Sequence, residues 1–401
     1  MDQTSRKNLF SLVALNGLFY FAWAWGCYQT VYLQNNGMTS ADIGILNAVS
    51  SLVAIFASTF WGMVSDRINS IRKTTLINFI MLAVTTAILP MLPAKATYAT
   101  GMFIIYCAII TFARTPSFTL MDNITVRNCA TLGVSYGAVR SFGSLTYTVG
   151  SVIVSAALPF IGVGNTFYLS SLLMIPTILC VLRCGDPKIV SAKAKTGPDR
   201  ESMKRLFGNY YYVTFLVFTM LYFIPRTSEY SFLTYFMEER NLSLDSLGII
   251  MAVRAVVEIP FLFFISTIRK WIKLKYLIMI AAVLIAIECL GLGLLTYDFE
   301  SLLIFSAFFG IGNGIFIGVI SDYLFKLAPD EVKATAQSIY ASVSAASSIL
   351  GNLLGGYAYA LLGGVAYYIV LGVTILASVA LLWATTYIGS KRGIPNPADE
   401  N

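Results

Sequence analysis

The chain contains no histidine, and charged residues make up only 12% of its 401 residues, about half the share of an ordinary soluble domain. Its six cysteines do not make up for the missing histidine as metal ligands. Cys27, Cys107, Cys180 and Cys289 fall inside apolar runs, Cys129 and Cys184 stand near predicted cytoplasmic ends, and no spacing suits a metal. They read as buried, inert thiols. No nucleophile elbow, phosphate-binding loop or soluble signalling domain is visible, which argues against a membrane enzyme or receptor. A cleavable leader is not expected, because the first apolar run is too long for a signal h-region and lacks a small-residue cleavage site.

What is present is apolar. Hydrophobic residues account for 57% of the chain, and a soluble protein of that make-up would expose large sticky patches. Runs long enough to cross a hydrocarbon layer of roughly 30 Å, which takes about 20 helical residues, recur throughout. Twelve are expected, at 9–33, 41–64, 74–92, 97–125, 137–162, 165–184, 207–237, 246–268, 274–296, 300–327, 334–362 and 364–388. The expected fold is an all-α membrane protein of twelve spans in two pseudo-symmetric six-helix bundles. The domains are 1–184, a cytoplasmic linker 185–206, a second bundle 207–390 and a tail 391–401.

The basic residues set the orientation. With both termini cytoplasmic, the outer loops hold only Lys95 and Arg240, four arginines lie within spans, and every other Lys and Arg falls inside. The net charge of +7 therefore follows topology and does not point to nucleic acid. A cytoplasmic (inner) membrane location is expected, with the lipid bilayer and a small-molecule substrate as partners and a monomer as the working unit.

An offset of 204 residues lays Met38–Ile45 over Leu242–Ile249 without a gap. Both segments carry a Thr/Ser cap and a glycine, and Ala48-Val49, Val53, Ile55 and Phe60 continue the match. Parallel repeats of this kind place a binding site near the midplane between halves that rock.

Ionisable groups within spans are costly and call for a reason. They are Arg114 and Asp122 in span four, Arg140 in span five, Arg226 and Glu229 in span seven, Arg254 and Glu258 in span eight, Glu288 in span nine and Asp322 in span ten. Arg226 with Glu229 and Arg254 with Glu258 share helical faces, as do Arg140, Ser144 and Tyr147. An arginine fork beside a carboxylate suits a polyhydroxylated ligand, and an aromatic ring can take the apolar face of a sugar. Internal ion pairing is the structural alternative. Glu288 and Asp322 suit a helix interface or the cytoplasmic mouth as well. Span one carries Asn16, Tyr20, Trp23, Trp25 and Tyr28, with Trp23 too deep to be only an interface anchor. Asn313, inside Gly310–Gly314, marks close helix packing.

Two sets of residues carry a resemblance. Gly62-Met63-Val64-Ser65-Asp66-Arg67, followed by Arg72-Lys73, resembles the G-x-x-x-D-R…R-K loop of the major facilitator superfamily, without its second glycine. Such a loop latches one conformation, an acidic residue at a helix end pairing with arginine, through Gly62, Asp66, Arg67 and Arg72. Thr115-Pro116, Leu120–Asn123 and Tyr136–Ser144 are similar to the span four–five signature of the lactose-permease-like branch. That branch includes oligosaccharide and nucleoside proton symporters and phenylpropionate-type permeases. Val257–Phe261 and Ala334–Tyr340 match it too. The resemblance implies proton-coupled uptake of a small polar solute by alternating access, with no cofactor and the proton gradient as energy source. Asp122, Arg140 and Tyr147 match the residues that bind the sugar in lactose permease. With Ser144, Asn123, Trp23 and Arg226 they form the expected substrate set. The branch's coupling histidine is absent, and Ile315 stands near the place of its glutamate. Coupling is therefore expected at Glu258, then Glu229, with Arg254 beside them. A drug-efflux antiporter of the same fold is the rival, but its G-P-x-x-G-G-like motif is missing between Gly143 and Pro159.

Overall fold

The computed structural model describes residues 3–92, 99–187 and 200–399. Residues 188–199, most of the expected linker, lie outside the described residues, as does Lys95. Among the described residues the chain is helical without strands, as backbone in hydrocarbon requires, because only a helix or a closed barrel satisfies its own amides there. The first six spans are α1 (Gln3–Gly26) continued by α2 (Gln29–Asn35), α3 (Ser40–Ile68), α4 (Ile71–Ile88), α5 (Ala99–Leu132), α6 (Tyr136–Ile161) and α7 (Val163–Arg183). A short helix, α8 (Arg200–Gly208), precedes α9 (Tyr210–Glu239), and the two are bent by 67°. Then come α10 (Leu247–Ile268), α11 (Leu274–Leu295), α12 (Phe299–Leu327) and α13 (Lys333–Lys391).

At 59 residues, α13 would run about 88 Å at 1.5 Å per residue, far more than one crossing. It is two spans joined at Gly363, where φ is 71° and ψ 163°. Span one, expected as a single run, carries a break at Cys27-Tyr28 between α1 and α2 yet stays one apolar span, Arg6–Asn35.

Large apolar side chains face outward: Phe160 is 88% exposed, Leu361 85% and Phe263 77%. Water would not tolerate that surface; lipid does. Five prolines (Pro116, Pro159, Pro176, Pro225 and Pro260) sit inside spanning helices. That is a tolerated feature where neighbouring helices supply the freed backbone groups with partners. The chain thus forms a multi-pass membrane protein.

Contacts divide the chain into two compact units, one of Met1–Lys193 with Ser243–Ala252, the other of Ala194–Leu242 with Val253–Asn401. In the first, α1 packs on α6 and α7, α3 on α5, and α4 on α5 and α7. The entry of α10 belongs to this unit. Its Gly248 amide donates to Tyr28 Oη at 2.9 Å, and Ser155 Oγ donates to the Asp245 carbonyl. In the second, α9 packs on α13, and α11 on α12 and α13.

The repeat is visible in backbone geometry. Gly37 and Asn241, 204 residues apart, both have positive φ (85° and 55°). The Met38 amide reaches back to the Leu33 carbonyl as the Leu242 amide does to that of Met237. This is the bonding of a helix ended by a left-handed residue. Thr39 and Ser243 then cap the next helix, each accepting a backbone amide at 3.3 Å. Later in each unit a second shared turn falls at Gly162 (φ 74°, ψ 153°) and Gly363. That region of backbone space is open to glycine almost alone.

An added Cβ meets nothing at Gly162 and only Glu239 Oε1 at 3.7 Å at Gly363, so substitution there strains the backbone rather than the packing. Gly162→Ala and Gly363→Ala should each cost about 1–3 kcal/mol, read as a lower thermal-unfolding midpoint in detergent. Gly101→Ala, inside α5 with open space around it, should not lower it.

Candidate functional site

Each unit holds its own charged cluster within its spanning helices. In the first, Asp122 on α5 faces Arg140 on α6, Oδ1 to Nε 3.7 Å, with side chains 39% and 28% exposed. Tyr136 Oη donates to Asp122 Oδ1 at 3.0 Å, and Arg140 Nη1 donates to Ser144 Oγ at 3.4 Å. The guanidinium lies 4.0 Å over the ring of Tyr20 from α1, a cation–π contact. Gly143 makes room for it, since a Cβ there would stand 2.5 Å from Tyr20 Cδ2 and 3.1 Å from Arg140 Nη1. A charge-assisted hydrogen bond closes to about 2.7–2.9 Å. The wider, half-open pair leaves donors on one side and acceptors on the other for a third partner.

The remaining expected substrate residues of this unit have contacts of their own. Tyr147 lies beside Cys27, Oη to Sγ 3.8 Å. Trp23 is under Arg114, 5.5 Å from ring centroid to guanidinium, and Arg114 Nη2 donates to Gln29 Oε1 across the break in span one. Phe118 links the two places, edge-on to Trp23 at 4.8 Å and tilted to Tyr20 at 5.9 Å. Asn123, one residue past Asp122 and so about 100° round the helix, turns away. It lines a cavity of ≈ 160 Å³ with Arg127 and with Gly62 and Asp66, two of the residues expected to form the latch.

Of those, Gly62 faces open space, and Asp66 and Arg67 are exposed at the end of α3. The expected acid–arginine pairing of Asp66 does not form among the described residues. Arg72 starts α4, past the left-handed turn at Asn69, and its own partners lie at the end of α7. Its backbone amide donates to Asp186 Oδ1 at 3.2 Å and its Nη1 to the Cys184 carbonyl at 3.4 Å.

In the second unit the charges pair across helices. Arg254 Nη2 on α10 lies 2.7 Å from Glu229 Oε1 on α9 and 2.6 Å from Glu288 Oε1 on α11. All three side chains are buried, and the Phe309 ring covers the guanidinium at 4.4 Å. Arg226 donates through Nη2 to Asn313 Oδ1, and Asn313 Nδ2 donates to Glu258 Oε2 at 2.9 Å. The face shared by Arg226 and Glu229 therefore divides between two networks, as does that shared by Arg254 and Glu258. Close approach of α12 to α10 makes this possible. A Cβ on Gly310 would stand 2.5 Å from the Arg254 carbonyl oxygen, and one on Gly314 2.8 Å from that of Glu258. Asp322 pairs with Arg269 at an exposed helix end, outside both networks.

Tyr20, Tyr136, Asn313 and Phe309 were not expected as site residues, and Glu288 was expected to suit a helix interface as well. Tyr136 stands one turn before Arg140 on the same face, a signal open to inspection. Asn313 was expected only as a packing residue, and Glu288 is the lone acid of an apolar span.

Two units that repeat each other's turns, each with ionic side chains among its spanning helices, have the build of a membrane transporter. Solved transporters share this fold. The nucleoside transporter NupG superposes with a TM-score of 0.78 at 18% identity, covering 95% of this chain and 98% of that one. A POT family transporter in complex with 5-aminolevulinic acid does so with a TM-score of 0.71 at 14% identity, covering 96% of each chain. The sequence matches the MFS_1 like family over residues 12–370, and the chain belongs to that family. An uncharacterized transporter of Bacillus subtilis (strain 168), YwbF, is 25% identical over 390 residues, 92% of either chain. A maltose permease of Geobacillus stearothermophilus is 24% identical over 364 residues, 88% of either chain. The protein is a major facilitator transporter and not an enzyme.

Removing the guanidinium of Arg254 leaves two buried carboxyl groups without their counter-charge. Arg254→Gln should cost about 3–5 kcal/mol of stability, measured by thermal unfolding in detergent. Adding Glu229→Gln and Glu288→Gln to it should recover most of that loss.

Proposed function

We propose that this transporter takes up a small polar, hydroxyl-rich solute together with a proton, by alternating access in the cytoplasmic membrane with both termini inside. The observation that carries the solute reading is the half-open Asp122–Arg140 pair. Its carboxylate can accept from solute hydroxyls, its guanidinium can donate to them, and Tyr20 and Tyr136 hold the two groups in place. Ser144 extends the donor–acceptor row along α6. A maltose permease among the relatives and a nucleoside transporter among the solved structures support the same class, since both names denote polyhydroxylated solutes.

In this reading Arg226, Asn313 and Glu258 supply the polar groups of the second unit, and Trp23 with Arg114 forms an outlying aromatic–cation contact. The excess of basic residues in segments expected to be cytoplasmic supports the orientation. The protein works as a monomer without cofactor, driven by the proton gradient.

Equilibrium binding of radiolabelled maltose and uridine to purified protein in nanodiscs tests the site. Asp122→Asn removes the negative acceptor, and Arg140→Lys replaces a planar fork by a point charge. Either should lower the affinity of whichever solute binds at least tenfold, with the unfolding midpoint unchanged. Undiminished affinity in either variant rejects the assignment.

A further inference from the structure

Three carboxylates and two guanidiniums lie among the spanning helices of the second unit, away from its ends. Asn313 joins Arg226 to Glu258. Glu229 and Glu288 are left with Arg254. Both place Oε1 on one and the same nitrogen, Nη2, at 2.7 and 2.6 Å. Two oxygens sharing one nitrogen in this way stand within about 5 Å of each other, and like charges so close in a dry site do not both ionise. The two carboxylates are 0% exposed. Glu229 Oε2, Glu288 Oε2, and Arg254 Nε and Nη1 are buried there without a hydrogen-bond partner.

Other groups that bear on the triad do not balance its charge. Arg226 on α9 is already engaged by Asn313, and the Cys289 thiol on α11 and the Tyr367 and Tyr368 hydroxyls on α13 can supply no positive charge. One positive charge against two carboxyl groups calls for one proton.

We propose that Glu229, Arg254 and Glu288 form a one-proton site, and that the transported proton occupies it. This rests on the proton-coupled reading above and moves the carrier from Glu258 to the buried pair. The step is a simple dissociation. The O–H bond of one carboxyl breaks, the proton leaves, and the carboxylate formed shares Arg254 with the other. Glu258 differs in that an amide already donates to it and its side chain is half-buried. It therefore suits the solute. Arg254 lies one helical turn from Glu258 on α10, so movement of either side chain is felt by the other through one rigid element.

Either carboxyl, left alone with Arg254, has a full counter-charge and no need of a proton. That gives a signature a purely structural triad lacks. Infrared difference spectra of wild-type protein in nanodiscs, taken between acidic and alkaline pH without any solute, should show a protonated-carboxyl C=O band. The band should vanish in both Glu229→Gln and Glu288→Gln and persist in Glu258→Gln. Both triad variants keep charge balance and should fold. In proteoliposomes with an imposed pH gradient, whichever of maltose or uridine the wild type transports should no longer accumulate uphill in either variant. Its counterflow exchange should remain within about twofold of wild type. Absence of the band from wild type, or its survival in Glu288→Gln, overturns the one-proton site. Undiminished uphill accumulation in Glu288→Gln overturns its role as carrier. A wild type that shows the band yet ignores the pH gradient overturns proton coupling itself, while the one-proton site stands.

Discussion

A guanidinium or carboxylate far from water is tolerated only where opposite charge and hydrogen bonds meet it, and that constraint shapes much of the second unit. Arg254 reaches carboxylates on two neighbouring helices, so α9, α10 and α11 must lie close enough for one side chain to serve them. Gly310 and Gly314 then follow, because α12 can cover this place only where it lacks side chains of its own. The Phe309 ring seals the guanidinium from the other side. In the first unit the constraint is met more loosely. Asp122 and Arg140 stay part-exposed and separated by more than a strong hydrogen bond, with a tyrosine ring under the guanidinium. A closed triad and an open pair thus meet the same constraint in two ways.

Much of the architecture was legible in the residues. Spans show because apolar length is dictated by bilayer thickness, and the break at residue 363 was already the gap between two expected runs. The 204-residue repeat was readable because a cap and a left-handed turn are local chemistry, reproduced at Gly37 and Asn241. What escaped was everything that depends on a neighbouring helix. Spacing put Arg254 with Glu258 and Arg226 with Glu229 on common faces, but a face does not reveal which partner lies across from it. The observed pairings run between helices instead. By sequence Tyr20 is one of several span-one aromatics, and only the approach of α1 to Gly143 puts it beneath Arg140. The break at Cys27-Tyr28 carries no proline and was hidden by continuous hydrophobicity.

Position on a helix decided several assignments that residue type alone could not. Asn123 follows Asp122 directly and shares its motif, yet one residue of rotation turns it toward Asp66 and Arg127. Tyr147 keeps the face of Arg140 but stands two turns away, against Cys27. Among the described residues the loop between α3 and α4 closes no ion pair around Asp66, and Arg72 meets Asp186 through its amide and the Cys184 carbonyl through its guanidinium. In each case geometry separated residues that a motif had grouped.

The most direct test of the account is an experimental structure of the protein with a transported solute bound. Solute hydroxyls should lie within hydrogen-bond reach of both the Asp122 carboxylate and the Arg140 guanidinium, with the Arg140–Tyr20 stack retained. Solute density remote from both side chains, with Asp122 and Arg140 closed into a tight ion pair, would contradict the reading of this cluster as the place where the cargo is held.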